Sequence, residues 1–131
     1  MKVVLFGAGA TGARIARQLR SSGKVDCVEI RDQQGDKARR LVETLGLGTE
    51  YGEGRQIDPN ASAVVIATPA GSQATIARRA VHRGVPVVAT SNQMSEVRRL
   101  LTLEQEAQHS GVPVVIGAGF MPGLTGLLAR H

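Results

Sequence analysis

Short β-branched runs alternate with stretches of helical period along nearly the whole chain, and this alternation restricts the possible folds more than any single motif does. The first run, Lys2 to Phe6, feeds a helix from about Thr11 to Ser22 that carries Gly12, Ile15, Ala16 and Leu19 on one face and stops at Gly23. A second strand, Val25 to Arg31, leads to a helix from Asp36 to Leu45, where Ala38, Leu41, Val42 and Leu45 keep the spacing of a buried stripe. Between Thr49 and Ile57, Gly52 and Gly54 leave room only for a short third strand. Ala63 to Thr68 is a fourth, followed by a helix from Ser72 to Arg83 that turns Ile76, Ala77, Ala80 and Val81 inward.

The fifth strand runs from Val85 to Thr90, with Pro86 at its start, where a missing N–H does least harm. One long helix is expected from about Ser95 to Ser110, burying Val97, Leu100, Leu101 and Ala107, and a last strand from Val112 to Gly117. The entries to these two strands, "RGVPVVATS" and "SGVPVVIGA", echo each other as matching helix-to-strand junctions rather than as a solenoid repeat. Right-handed crossovers then give an α/β fold: a three-layer, doubly wound parallel sheet of order 3-2-1-4-5-6. Its ligand crevice lies beyond the strand C-termini, at the switch between strands one and four.

With 131 residues and 42% hydrophobic content, the chain can bury one sizeable core, so a single domain over 1–131 is expected. No stretch approaches the roughly 18 consecutive apolar residues of a membrane span, and Met1 leads straight into a strand. A cytoplasmic protein with no membrane partner is the expectation. Cys27 is the single cysteine, which rules out an internal disulfide and reads as a small buried hydrophobe in a strand. The excess of 16 Lys+Arg over 11 Asp+Glu raises nucleic-acid binding, but with aromatics at 2% there is little on which to stack bases. The basic residues also fall on predicted outer helix faces, as with Arg14, Arg17 and Arg20 or the pairs Arg39/Arg40, Arg78/Arg79 and Arg98/Arg99. No nucleic-acid partner is expected.

Gly7, Gly9 and Gly12 hold G-x-G-x-x-G spacing directly after a strand and directly before a helix. In that context the first glycine permits a tight turn, the second lets backbone approach a pyrophosphate, and the third lets helix and strand pack closely. Unpaired N–H groups and the partial positive charge of the helix end complete an anion cradle, to which Ala8, Ala10 and Thr11 belong. Asp32 follows twenty residues after Gly12, where an acid at the end of the second strand accepts hydrogen bonds from an adenosine ribose. A carboxylate there repels a 2′-phosphate and Gln33 follows it, which favours NAD over NADP; Arg31, Arg39 or Arg40 would have to turn toward the ribose to reverse that.

Two more turns should line the crevice: Thr68, Pro69 and Ala70 after the fourth strand, and Ser91 and Asn92 after the fifth. Position is the reason for naming them, and Thr68 or Asn92 is equally explained as a turn or cap residue. Asp58, in "RQIDPN", reads as an ordinary turn acid before proline. Catalytic residues are not identifiable. His82 and His109 fall in the last turns of helices, where a cation suits the dipole, and His131 ends the sequence. No His/Cys/Asp/Glu grouping has metal-ligand spacing, and neither Ser72 nor Ser91 has a base and orienter.

Taken together, "VVLFGAGATG", Asp32 with Lys37-Ala38 after it, "VVIATPAG", "GVPVVATS" and above all "GAGFMPGLTGLLA" resemble the Rossmann NAD(P)-binding domain of the saccharopine dehydrogenase family. Gly117 to Leu124 is the most specific part. The resemblance implies an oxidoreductase that reduces imines formed between amines and carbonyl acids, or oxidises the product, with a small amino-acid-like substrate held by a downstream domain. It also implies that Pro122 begins a helix at the nicotinamide end of the crevice and that Gly119 and Phe120 come near cofactor or substrate. Two departures stand out: Gln33 replaces the arginine common in NADP-using relatives, and a downstream substrate domain is expected to be lacking. The chain is expected to bind cofactor with little turnover, and Leu124, Leu127 and Leu128 to pack on the sheet or form a homodimer interface. A stand-alone NAD sensor, similar to the regulatory domains of potassium channels, is the non-enzymatic alternative, and dihydrodipicolinate reductase and aspartate dehydrogenase relatives are further enzymatic ones.

Overall fold

In a computed structural model of the chain, residues 1–54 and 56–119 are described. Strands β1 (Lys2–Phe6), β2 (Cys27–Arg31), β3 (Thr49–Tyr51), β4 (Ala63–Ile66), β5 (Val87–Ala89) and β6 (Val114–Ile116) form a parallel sheet in the order β3-β2-β1-β4-β5-β6. The expected doubly wound fold and strand order are therefore those observed. The helices among the described residues are α1 (Ala10–Ser21), α2 (Gly35–Leu45), α3 (Gln73–His82), α4 (Met94–Leu101) and α5 (Glu104–Ser110).

Each face of the sheet has its own core. Val3, Leu5, Val28 and Ile30 meet Ala16 of α1 and Ala38 and Leu41 of α2 on one side. Val4, Phe6, Val64, Ile66 and Val87 meet Ala77 and Val81 of α3, Leu100 of α4 and Leu103 on the other. Strands covered on both faces read as unbroken apolar runs, which is why β1 and β4 are so plain in sequence.

β2 is different, and its alternation "CVEIR" records what covers it. Val28 and Ile30 face α1 and α2, whereas Glu29 and Arg31 stand in register with Val4 and Phe6, on the α3 side. Beyond β1 that side is closed by the irregular segment after β3 instead of a helix. Arg31 pairs with Glu29 and donates from Nη1 to the carbonyl oxygens of Glu53, Gly54 and Gln56. Lys2 Nζ reaches Glu29 Oε2 at 2.8 Å and Glu50 Oε1 at 2.7 Å. Glu29 and Arg31 are buried at 5% and 9% exposure, a burial tolerable only because each charge is paired and hydrogen-bonded. Hydrogen bonds to Glu29 and then Glu50 hold the Lys2 ammonium above the usual lysine range, and Lys2 in turn holds the Glu50 carboxyl below its own. Burial, with Glu50 beside it, pushes the half-buried Cys27 thiol up.

Several expectations need correction. Cys27, expected to be buried, is half-buried at the start of β2. The single helix over 95–110 is two helices, because Thr102 Oγ1 bonds to Arg99 O and Leu103 N–H donates to Leu100 O, an i to i+3 bond that interrupts the ladder. Its inner stripe is Glu96, Leu100, Leu103 and Ala107; Leu103 is 1% exposed and Leu101, expected inside, is 58% exposed. A charged residue at the head of the stripe hides its phase. Several strands are also shorter than their apolar runs: β5 starts at Val87, and Pro86 before it still contributes a carbonyl to Val64 N–H at 2.8 Å. His82 does end α3, but its Nε2 lies 2.8 Å from Glu106 Oε2 of α5, so the ring joins two helices rather than only capping one.

Candidate functional site

The C-terminal ends of β1, β2, β4 and β5 open onto a crevice of about 700 Å³, within the roughly 300–1,000 Å³ typical of small-molecule sites. The loop after β1 makes its floor. Gly7 leaves the strand at φ +107°, with its N–H donating to Arg31 O at 2.7 Å, and a Cβ on it would lie 2.5 Å from Ala67 O. Gly12 is buried where α1 crosses β1, and a Cβ there would run into Gly7 O. These two glycines are dictated by contact. Gly9 is not: it stands at the α1 N-cap in extended conformation, and a Cβ on it would meet nothing within 4 Å.

That open space on the crevice side is the place a phosphate needs, and a side chain would fill it. The first helical bond of α1 runs from Ala13 N–H to Gly9 O, so the N–H groups of Ala10, Thr11 and Gly12 precede the ladder. The first turn of α1 carries no acid to offset its partial positive charge.

Asp32 stands on the lip, half-buried, with both oxygens engaged by backbone. Oδ2 accepts from Ala8 N–H at 2.7 Å and Oδ1 from Gln34 N–H at 2.8 Å, which fixes the carboxylate while leaving each oxygen a further lone pair. Gln33 is exposed beside it. Asp32, Gln33, Thr68, Gly71 and Ser72 also border a second lobe of about 670 Å³ that runs over Phe6 toward Ile76 and Arg79.

The other expected residues fall into two groups. Gly7, Gly9, Ala10, Thr11, Asp32, Gln33, Thr68, Pro69, Ala70, Ser91 and Asn92 all line the crevice. Ala8 and Gly12 stand behind it, the first holding Asp32 and the second packing the helix. Gly119 is not on the wall. It lies in a turn past β6, where its N–H donates to Gly117 O at 2.7 Å and Ala118 N–H donates to Ala89 O at the end of β5. Phe120, Pro122 and the leucines at 124, 127 and 128 lie outside the described residues.

Two contributors are not legible in the sequence. Gln73, 2% exposed, donates from Nε2 to Thr68 O at 2.6 Å and accepts Ser91 N–H at 3.1 Å, so one side chain links the turns after β4 and β5. Glu96, 1% exposed, reaches from α4 to accept the N–H groups of Gly71 and of Ala74, the latter at 2.7 Å. Polar residues near predicted helix starts read as solvent-facing, and nothing in spacing marks them as buried. Arg31, by position a possible phosphate partner, is occupied by its ion pair and loop carbonyls, 5.7 Å over the Phe6 ring. Arg39 stacks on Tyr51 at 4.2 Å. Asp58 accepts Asn60 N–H and faces Lys2, as a turn acid would.

Comparison with known families gives a match over residues 1–117 to the model of the Gfo/Idh/MocA oxidoreductase family, NAD-binding Rossmann fold. No match is found among curated protein sequences. Among solved structures, GenD2 from gentamicin A biosynthesis in complex with NAD aligns at TM-score 0.78 and 22% identity, over 90% of this chain and 34% of its own. Biliverdin reductase from Synechocystis sp., in complex with biliverdin and NADP+, aligns at 0.76 and 22% identity, over 88% of this chain and 37% of its own. Apo saccharopine dehydrogenase (L-Glu forming) from Saccharomyces cerevisiae aligns at 0.78 and 18% identity, over 98% and 29%. At such identities the likeness establishes the fold, and the chain spans about a third of the length of these structures. The saccharopine dehydrogenase resemblance is thus met at the level of the fold, while the family model that matches is a different one.

Proposed function

The chain belongs to the Gfo/Idh/MocA oxidoreductase family, as its NAD-binding Rossmann domain, and from that premise we propose that it holds NAD(H) for an enzyme acting on amino-acid-derived C–N bonds. The observation that carries the cofactor preference is Asp32, locked by Ala8 and Gln34 at the crevice lip with acceptor capacity to spare. A fixed carboxylate accepts both hydroxyls of an adenosine ribose and repels a 2′-phosphate. Of the basic groups that would reverse this, Arg31 is paired with Glu29 and Arg39 is stacked on Tyr51.

In this reading the amides of Ala10, Thr11 and Gly12 receive the diphosphate beside the empty flank of Gly9. Thr68, Pro69 and Ala70 form the wall across from it, and Ser91 and Asn92 border the end nearest β5. When bound, NAD(H) accepts or supplies the hydride; the protein's part is to bind, orient and shield it. The C–N substrate class rests on the sequence "GAGFMPGLTGLLA", whose first residues continue β6 beside the end of β5, on the crevice edge. A substrate domain on further chain is part of this reading, because the solved structures that share the fold are about three times as long as this chain.

Calorimetric titration tests the reading directly. NADH should bind saturably to one site with NADPH at least tenfold weaker, and the domain alone should not oxidise NADH in the presence of an amine and a 2-oxo acid. Absence of saturable NADH binding at millimolar cofactor overturns the proposal. A change of oligomeric state on adding NAD, seen by light scattering, would instead favour a sensor.

A further inference from the structure

Four helices begin on the edge of the sheet where the crevice opens, and each helix start carries a partial positive charge that attracts anions. A diphosphate therefore has more than one place to settle. The start of α2 has Asp36 in its first turn and that of α4 has Glu96, while α1 and α3 have no acid of their own there. α1 and α3 are thus equivalent by sequence, and both reach the same crevice: Ala10 and Thr11 line it from one side, Gly71, Ser72 and Gln73 from the other.

Tertiary structure breaks the tie. α3 has no side-chain cap from its own N-cap residue, Ser72, and takes one from α4: the fully buried Glu96 carboxylate accepts the N–H groups of Gly71 and Ala74. One carboxylate thereby offsets two helix starts at once, that of α4 from within and that of α3 from outside. Arg99, with Nη1 3.7 Å from Glu96 Oε2 and donating to Gly71 O at 3.2 Å, screens it only from the exposed side.

We propose that Glu96 is a specificity-determining residue of the cofactor site: its negative charge offsets the start of α3, which leaves the start of α1 as the one place in the crevice for a diphosphate. The inference rests on the reading of the crevice as an NAD site. Glu96 touches no cofactor in this account; it positions the ligand by exclusion, and the loop from Pro69 to Ser72 that it anchors stays as the uncharged wall opposite.

Glu96→Gln keeps the shape and one acceptor and removes the charge. In a 31P-NMR titration with inorganic pyrophosphate, the wild type should bind one equivalent, displaced by NADH. Glu96→Gln should bind a second equivalent that NADH does not displace, with NADH affinity about three- to tenfold weaker. Adding Thr75→Asp, at an exposed first-turn position of α3, should return the count to one, a rescue that a packing role would not produce. One equivalent in Glu96→Gln, or two when Glu96→Gln and Thr75→Asp are combined, overturns the inference. Should Glu96→Gln fail to fold, crystals of the wild type soaked in pyrophosphate decide: density only on the α1 amides supports the exclusion, and density on the α3 amides refutes it. Loss of NADH binding in the wild type would defeat the NAD reading itself, a separate outcome.

Discussion

Asp32 Oδ2 accepts the Ala8 N–H at 2.7 Å, and this bond ties the acid at the end of β2 to the glycine loop at the end of β1. The acid and the loop, which the proposed function takes as ribose acceptor and phosphate cradle, are thus held together by the pairing of adjacent strands. Asp32→Asn leaves one oxygen to serve two main-chain N–H groups, and hydrogen bonds to a charged acceptor are worth about 1.5–3 kcal/mol. The variant should bind NADH roughly ten- to a hundredfold more weakly and lose most of its preference over NADPH. Paired calorimetric titrations with the two cofactors would show it; an unchanged ratio would contradict the assignment.

The glycines of the loop separate stability from binding. Gly12→Ala drives a methyl group into Gly7 O, and overpacking of this kind costs about 1–3 kcal/mol, so its thermal midpoint should fall by several degrees. Gly9→Ala meets nothing in the protein and should melt within about 0.5 kcal/mol of wild type, while its methyl group obstructs the cradle and weakens NADH binding. A large loss of stability in Gly9→Ala would show that the loop is held differently.

Leu101 and Leu103 test the corrected helix phase. Removing the buried Leu103 side chain to Ala should cost about 2–5 kcal/mol, whereas Leu101→Ala, at 58% exposure, should fall within about 0.5 kcal/mol of wild type. Urea unfolding of the two variants gives the ranking, and the reverse order would restore the single helix.

The cluster around Lys2 predicts two limbs in the pH dependence of folding. Glu50 is held below its ordinary value of 4.5, so its contribution is complete above that pH and is lost as the pH falls through the lower folded value. Lys2 is held above its ordinary 10.5, so its contribution is complete below that pH and disappears as the pH rises through the folded value. Lys2→Met should therefore differ from wild type by a constant amount between about pH 6 and 9, with the gap closing in acid. Because both side chains are partly exposed, the size of the gap is modest and should shrink with salt. Urea midpoints across pH would measure it, and a gap that widens in acid would rule out the pairing.

Much of the architecture is readable because its causes are local. Unbroken apolar runs mark the doubly covered strands, glycines mark the helix ends, and the spacing of Gly7, Gly9 and Gly12 places a cradle between one strand and one helix. Gly119 and Phe120 rest on resemblance alone; the first lies off the crevice wall, in the turn after β6, and the second falls outside the described residues. The phase of the helix after β5 is obscured because Glu96 heads its buried stripe, and hydrophobic periodicity gives a charged residue no inward sign.

The sequence by itself determined the strand order, the glycine turn after β1 and the position of the acid at the end of β2, because period, turn chemistry and crossover handedness act over a few residues or follow general rules of winding. Only the tertiary structure decided what Gln73, Glu96 and Arg31 do. Each is a polar side chain whose partners come from distant parts of the chain, such as Ser91 for Gln73, Gly71 for Glu96 and Gln56 for Arg31. Burial of a polar group is settled by whether another element brings it a partner, and that is a property of how the elements meet.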